Sequence, residues 1–498
     1  MSQSSPRIVI LGAGPGGYVA ALRAARLGAA VTLVEKGLVG GTCLNRGCIP
    51  TKALLASAEA LARARAGKEY GFTVAGPLQP DLARMMERKT RVVEQLRAGV
   101  EVLLKKAGVQ LVRGTARLTP GRRILVDTGA QTVHLEADKI IIATGSEPAR
   151  LPGFDFDHPC VLTSTSVLEL REIPDSLLIV GAGVIGAEFA SFFAELGTAV
   201  TMVEMMPQML PQEGKRLAKQ FQGLYRKRGI QVLLNTKVDA VTEYGKDHAA
   251  VKLSDGQDLA VSKILISVGR QPNTSGIGLE TAGVETDGRG YVVVNEFLET
   301  SAPDTYAIGD VNGGLLLAHV ASYEAWVAVE NCLGARRARD LRVVPSCTYS
   351  FPEVASVGLS EDQAREKGYE PVTGTYRFAA LGKALAIGED VGYVQLVADK
   401  ESDLLLGASM MGPHVTDVIH EVAVAVQNGL TVRQLGNTIH AHPTIAEAVM
   451  EAAHDVHAES VHVERWRRDT DGGKSPDPAP NLSQGVLGQN GRLFPGMD

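Results

Sequence analysis

Two cysteines, Cys43 and Cys48, are separated by four residues in the stretch GGTCLNRGCIPTKALL, Gly40 to Leu55. Pro50 then opens a helical run at a permitted early position. Cys48 is thus expected just before a helix N-terminus, where unpaired amides and the helix dipole stabilise a thiolate. Lys52 follows one turn later. A pair so placed suits an electron relay. The residues alone also permit a structural disulfide, a zinc half-site or two inert thiols. No second Cys/His cluster has metal-ligand spacing, which argues against zinc and against any metal. Cys160, Cys332 and Cys347 stand alone and read as packing residues. Five cysteines in 498 residues do not make a disulfide scaffold. A second candidate is His442, followed five residues later by Glu447, which could orient its imidazole for proton transfer. His440 shares the segment, and the chain has eleven histidines, so spacing alone does not single His442 out.

The elements that must position these groups repeat. Ile8 to Glu35, IVILGAGPGGYVAALRAARLGAAVTLVE, matches Leu177 to Glu204, LLIVGAGVIGAEFASFFAELGTAVTMVE, without a gap at an offset of 169 residues. Each copy reads as a strand, a Gly-x-Gly-x-x-Gly turn, an amphipathic helix and a second strand ending in Glu: a βαβ dinucleotide-binding unit. Gly12 and Gly181 allow the tight turn, Gly14 and Gly183 let a pyrophosphate approach the backbone, and Gly17 and Gly186 let helix and strand pack closely. Glu35 and Glu204, each 23 residues past the first glycine, can accept hydrogen bonds from an adenosine ribose. Two copies imply two dinucleotides. A 2′-phosphate needs a cation near Glu204, and Met205 and Met206 supply none, so NAD is favoured over NADP.

Lys139 to Ser146 (KIIIATGS) and Lys263 to Arg270 (KILISVGR) are matching strand-plus-glycine segments, and YAIGD, Tyr306 to Asp310, is a further short strand. From about Val344 the pattern changes, which suggests a separate C-terminal domain. Beyond Trp466 the run of Gly, Pro, Asp, Asn and Ser has no periodicity and reads as a mobile tail. Hydrophobic residues make up 45% and charged residues 21%, with a net charge of −6, as in a soluble multidomain protein and unlike a nucleic-acid binder. No apolar run is long enough to span a bilayer, and the N-terminus lacks signal-peptide features. The cytoplasm is the expected location.

In order along the chain, GGTCLNRGCIPTK, both fingerprints, the ATG segment, TSAPDTYAIGDV, LAHVASYE and HAHPTIAE resemble the pyridine nucleotide–disulfide oxidoreductases, over about Arg7 to Val463. The resemblance implies two Rossmann-like domains binding FAD and NAD and an α+β C-terminal dimerisation domain. Expected boundaries are 1–150 for the first part of the FAD domain, 151–275 for the NAD domain, 276–344 for the remainder of the FAD domain, 345–465 for the dimerisation domain and 466–498 for the tail. It assigns Gly12, Gly14, Gly17, Glu35, Lys52, Gly114, Thr144, Gly145, Asp310 and Ala318 to FAD. Gly181, Gly183, Gly186, Glu204, Val238 and Gly269 go to NAD. Lys52 and Glu188 form an ion pair beside the flavin ring, and His442 with Glu447 is the base dyad, completed across a homodimer. The likeness is strongest to members that oxidise dihydrolipoyl groups on a lipoyl-bearing domain of a 2-oxoacid dehydrogenase or glycine cleavage complex. Rival readings are a glutathione-reductase-like enzyme, against which Glu204 speaks; a transhydrogenase, which lacks the cysteine pair; and a non-catalytic flavoprotein subunit.

Overall fold

The computed structural model describes residues 5–462, so the expected tail lies outside the described residues. Each sequence copy builds a parallel five-stranded sheet. The first has the order Thr305–Ala307, Lys139–Ile142, Arg7–Leu11, Ala30–Glu35, Gln110–Arg113. The second has the order Val161–Thr163, Lys263–Ile266, Ser176–Val180, Ala199–Glu204, Gln231–Leu234. The repeat extends to register. Ile8 faces Val31 and Lys139, and Leu177 faces Val200 and Lys263. Both central strands are covered on both faces, as parallel strands between helices must be; Ile8, Ile10, Leu177 and Leu178 have no solvent contact.

The turns differ from the rest of each copy in what they tolerate. Gly12 and Gly181 sit at φ +101° and +100°, in the region that glycine alone enters freely. A Cβ on Gly17 would fall 1.8 Å from the Gly12 carbonyl oxygen, and one on Gly186 would fall 2.1 Å from that of Gly181. The helices Pro15–Arg26 and Val184–Leu196 can therefore start tight against their strands, with their N-termini at the sheet's carboxyl edge.

An antiparallel meander accompanies each sheet: Thr115–Thr119, Arg123–Asp127 and Thr132–Glu136 in the first, and Val238–Tyr244, Ala249–Leu253 and Asp258–Val261 in the second. The first sheet is closed by a strand that arrives only after the second unit is complete. The third unit is an antiparallel sheet in the order Ser346–Thr348, Glu353–Gly358, Leu405–Gly412, Tyr393–Asp399, Pro371–Arg377. The helices Val415–Gln427 and Glu447–Val456 bury Ile419, Val422, Val449 and Ala452 on it. No described helix is long and apolar enough to cross a membrane.

A Gly186→Ala substitution is expected to destabilise the protein by at least about 2 kcal/mol, since helix and turn cannot both stay in place. A fall in the urea midpoint without a change in slope would register it.

Candidate active site

Cys43 lies on a short helix, Gly41–Arg46, and Cys48 is the first residue of the helix Cys48–Arg65. The position of Cys48 corrects the sequence expectation. Pro50 stands third in the helix rather than opening it, and the break falls at Gly47. A Cβ there would lie 3.0 Å from the Thr42 carbonyl oxygen, a crowded contact that glycine avoids. Thr51 ties the new helix down, its hydroxyl donating to the Gly47 carbonyl at 2.7 Å. The Asn45 side chain secures the loop by donating to the carbonyls of Val39 and Gly41.

The two thiols are shifted in opposite directions. A hydrogen bond from Cys43 and the nearby Lys52 charge bring the Cys48 thiol down to about 7, against burial and Glu188. Cys43 moves the opposite way, raised well above the usual thiol range by donating to Cys48 and by burial. Lys52 is fixed by Glu188, with Nζ 2.7 and 2.8 Å from the two carboxylate oxygens. The Glu188 side chain is 5% exposed and that of Lys52 31%. From the third unit, Tyr349 N–H donates to Glu188 Oε1 at 3.0 Å, and the Tyr349 ring lies 4.5 Å from Lys52 Nζ. Cys160 and Cys332 are buried, and Cys347 is half-buried with its sulfur 3.9 Å from the Thr416 carbonyl.

The first phosphate turn adjoins this segment. Gly40 N–H donates to the Ala13 carbonyl at 2.8 Å, and a Cβ on Gly41 would meet Gly14 Cα at 2.6 Å. A cavity of about 540 Å³ opens beside the turn, lined among others by Gly12, Glu35, Gly114 and Thr144. Glu35 accepts from the amides of Ala13 and Gly37, both at 2.7 Å. Such a carboxylate keeps lone pairs for ligand hydroxyls. Glu204 repeats the arrangement with the amides of Ala182 (2.8 Å) and Met206 (2.9 Å). A Cβ on Gly183 would meet nothing within 4 Å. Thr236 N–H donates to the Glu204 carbonyl at 3.0 Å, bringing the chain leading to Val238 beside that strand end.

Past the ATG turn, with Gly145 at φ +69°, Ser146 donates to Asp310 and accepts from Arg270 Nε at 2.6 Å. Gly269, at φ +117°, precedes this arginine, and Ala318 opens the helix Ala318–Cys332. The Thr144 hydroxyl is buried without a partner. A cavity of this size, two glycine turns with their carboxylates and an unpartnered hydroxyl fit dinucleotides. Sequence reasoning gave no role to Arg270 or Ser146, although both end segments it singled out. It gave none to Tyr349, for which no sequence signal existed.

His442 lies apart, in the third unit. Its Nδ1 is 2.8 Å from Glu447 Oε1, and Glu447 Oε2 accepts from Thr444 N–H at 2.7 Å. Burial opposes ionisation of Glu447, but the Thr444 amide and His442 hold it below the usual range. The His442 side chain is 79% exposed. His440 is engaged elsewhere, 2.6 Å from Glu421 and 2.8 Å from the Thr438 carbonyl.

Two glycine-turn dinucleotide units with a cysteine pair against the first turn define a flavin- and nicotinamide-dependent disulfide oxidoreductase. The chain belongs to the pyridine nucleotide-disulphide oxidoreductase family, whose model matches residues 6–325, and whose dimerisation-domain model matches residues 344–453. It is 44% identical to the dihydrolipoyl dehydrogenase of Bacillus subtilis, over 91% of this chain and 98% of that one. The dihydrolipoyl dehydrogenase of Thermus scotoductus is 43% identical over 92% and 98%. Among solved structures, LpdA from Mycobacterium tuberculosis superposes with a TM-score of 0.85 at 31% identity, covering 90% of this chain and 99% of that chain. The HOCl-induced flavoprotein disulfide reductase RclA from Escherichia coli gives 0.82 at 30%, covering 90% and 99%.

Replacing Lys52 by Met strips the counter-ion from a nearly buried carboxylate. An unfolding titration should show a loss of about 3 kcal/mol, and Glu188→Gln in the same chain should recover part of it.

Proposed function

We propose that this chain is a dihydrolipoyl dehydrogenase, oxidising protein-bound dihydrolipoyl groups to lipoyl groups and reducing NAD. The observation that carries this reading is the unequal pair. Cys48 is poised near 7 beside Lys52 and Glu188, while Cys43 holds its proton. A pair of this kind, oxidised to a disulfide, takes two electrons from a dithiol by exchange.

His442 is the general base. With its Nδ1–H donated to Glu447, Nε2 carries the lone pair and removes a substrate thiol proton. The resulting thiolate attacks the Cys43 sulfur, breaking the Cys43–Cys48 bond and leaving Cys48 as the thiolate that Lys52 stabilises. The second substrate thiolate then displaces Cys43, so the lipoyl disulfide leaves and both enzyme cysteines are reduced. Gly12, Gly14, Gly17, Glu35, Gly114, Thr144, Gly145, Asp310 and Ala318 would hold FAD, which would supply the two-electron chemistry linking the reduced cysteine pair to the nicotinamide. Gly181, Gly183, Gly186, Glu204, Val238 and Gly269 would hold NAD. The exposure of His442 and the match to a dimerisation domain support a homodimer in which the base serves the partner's cysteine pair. Glu204 with Met205 and Met206 disfavours a 2′-phosphate. The relatives' name, dihydrolipoyl dehydrogenase, supports a dihydrolipoyl group as the dithiol, and the partner we propose to carry it is a lipoyl-bearing domain of a 2-oxoacid dehydrogenase or glycine cleavage complex.

The test is nucleotide reduction by dihydrolipoamide with FAD-loaded protein. Turnover with NAD should exceed that with NADP by about 100-fold or more, one missing cation beside a carboxylate sufficing. Fast oxidation of NADPH by glutathione disulfide instead would replace this reading by the reductase one. Cys48→Ser should keep its yellow colour and lose dithiol turnover. His442→Gln should also stay yellow, with kcat lowered by about 100-fold or more. A near-normal rate in either variant would remove that residue from the mechanism.

A further inference from the structure

We propose that Tyr349 is a positioning residue of the redox centre, its ring holding the Lys52 ammonium between Glu188 and Cys48. The proposal rests on the reading of Cys43 and Cys48 as the redox pair.

Tyr349 reaches the Lys52–Glu188 pair twice. Its amide donates to Glu188 Oε1 at 3.0 Å, and its ring centroid is 4.5 Å from Lys52 Nζ, within the range of a cation–π contact. The ring is not free to drift. Two residues on, Phe351 N–H donates to Ser191 Oγ at 3.0 Å, and Arg228 Nη1 donates to the Phe351 carbonyl. Glu188 and Ser191 are neighbours on one face of the helix Val184–Leu196, so the Tyr349–Phe351 segment is anchored along that face. Burial pushes the Tyr349 phenol up to about 12, and the ring stays neutral wherever thiol chemistry runs.

The consequence lies in what Lys52 does for Cys48. Lys52 is about one-third exposed, and a lysine on a four-carbon stem gains hydration and rotamer freedom by turning outward. Glu188 pulls it toward the buried side but also opposes the Cys48 thiolate. The neutral ring restrains the ammonium without adding a negative charge. The groups acting on Cys48 are then Cys43 and Lys52 from its own segment, Glu188 from the second unit and Arg270 from the strand after Gly269. Lys52 acts more strongly than Glu188. Loosening the ammonium therefore weakens the net support of the thiolate, and the midpoint for forming it rises.

The experiment compares Tyr349→Phe and Tyr349→Leu in the FAD-loaded, dithiothreitol-reduced enzyme. The ultraviolet absorbance of the thiolate is followed against pH, with Cys48→Ser in each background subtracted to isolate Cys48. Tyr349→Leu should move the Cys48 midpoint upward by about half a pH unit or more, and Tyr349→Phe should leave it unchanged. Superposition of the leucine variant on the wild type overturns the proposal, as does an equal shift in both variants, which would assign the effect to the hydroxyl. If Tyr349→Leu does not fold, Tyr349→Met is read by the same criteria. A wild-type protein with no Cys48 titration near neutrality would instead sink the redox-pair reading. Trypsin cleaves after Lys36, Arg46 and Lys52, so Cys43 and Cys48 fall in separate peptides, and alkylation of the denatured samples verifies that both thiols are reduced.

Discussion

Taking a carboxylate out of water costs several kcal/mol unless charge and hydrogen bonds replace the solvent. Glu188 meets that condition through the ammonium of Lys52 from the first unit and the amide of Tyr349 from the third. The requirement fixes more than one side chain. It sets the cysteine helix against the helix Val184–Leu196 and brings the edge of the C-terminal sheet to the same place. A turn and more along that helix, Glu195 does the like with Arg65 from the first unit and Arg228 from its own. Charges placed this way make the three units mutually dependent, and the Cys43–Cys48 segment sits where they meet.

The two copies of the dinucleotide unit show how much of a site is set by the backbone. Their turns, registers and terminal carboxylates match residue for residue, because positive φ and close carbonyl approach leave only glycine at the same places. Beyond the second strand the copies part. After Glu35 the chain runs through Gly40 and Gly41 to fold the cysteine segment against the first turn. After Glu204 it runs into two exposed methionines.

This division explains why some features are legible in the sequence and others are not. The glycine turns, their acids and the strand-plus-glycine segments are legible because local geometry demands those residue types at those spacings. The pairing of Lys52 with Glu188 is legible only by family resemblance, for no local rule links residues 136 apart. The sequence misplaces the start of the cysteine helix at Pro50, since the break depends on how closely Gly47 approaches Thr42. Tyr349 and Arg270 carry no sequence signal for their roles. Each is an ordinary side chain that gains meaning from a partner brought near by the tertiary fold, Lys52 in one case and Asp310 with Ser146 in the other.

The Gly14–Gly41 approach has a mechanical consequence. The segment that carries the cysteines packs on the first turn at Ala13 and Gly14, so neither can shift without losing that contact. At Gly183 a Cβ would meet nothing within 4 Å, and no segment packs on the second turn at that point. One repeated module is thus braced at its first turn and left open at its second, and a single pair of glycines, Gly14 and Gly41, makes the difference.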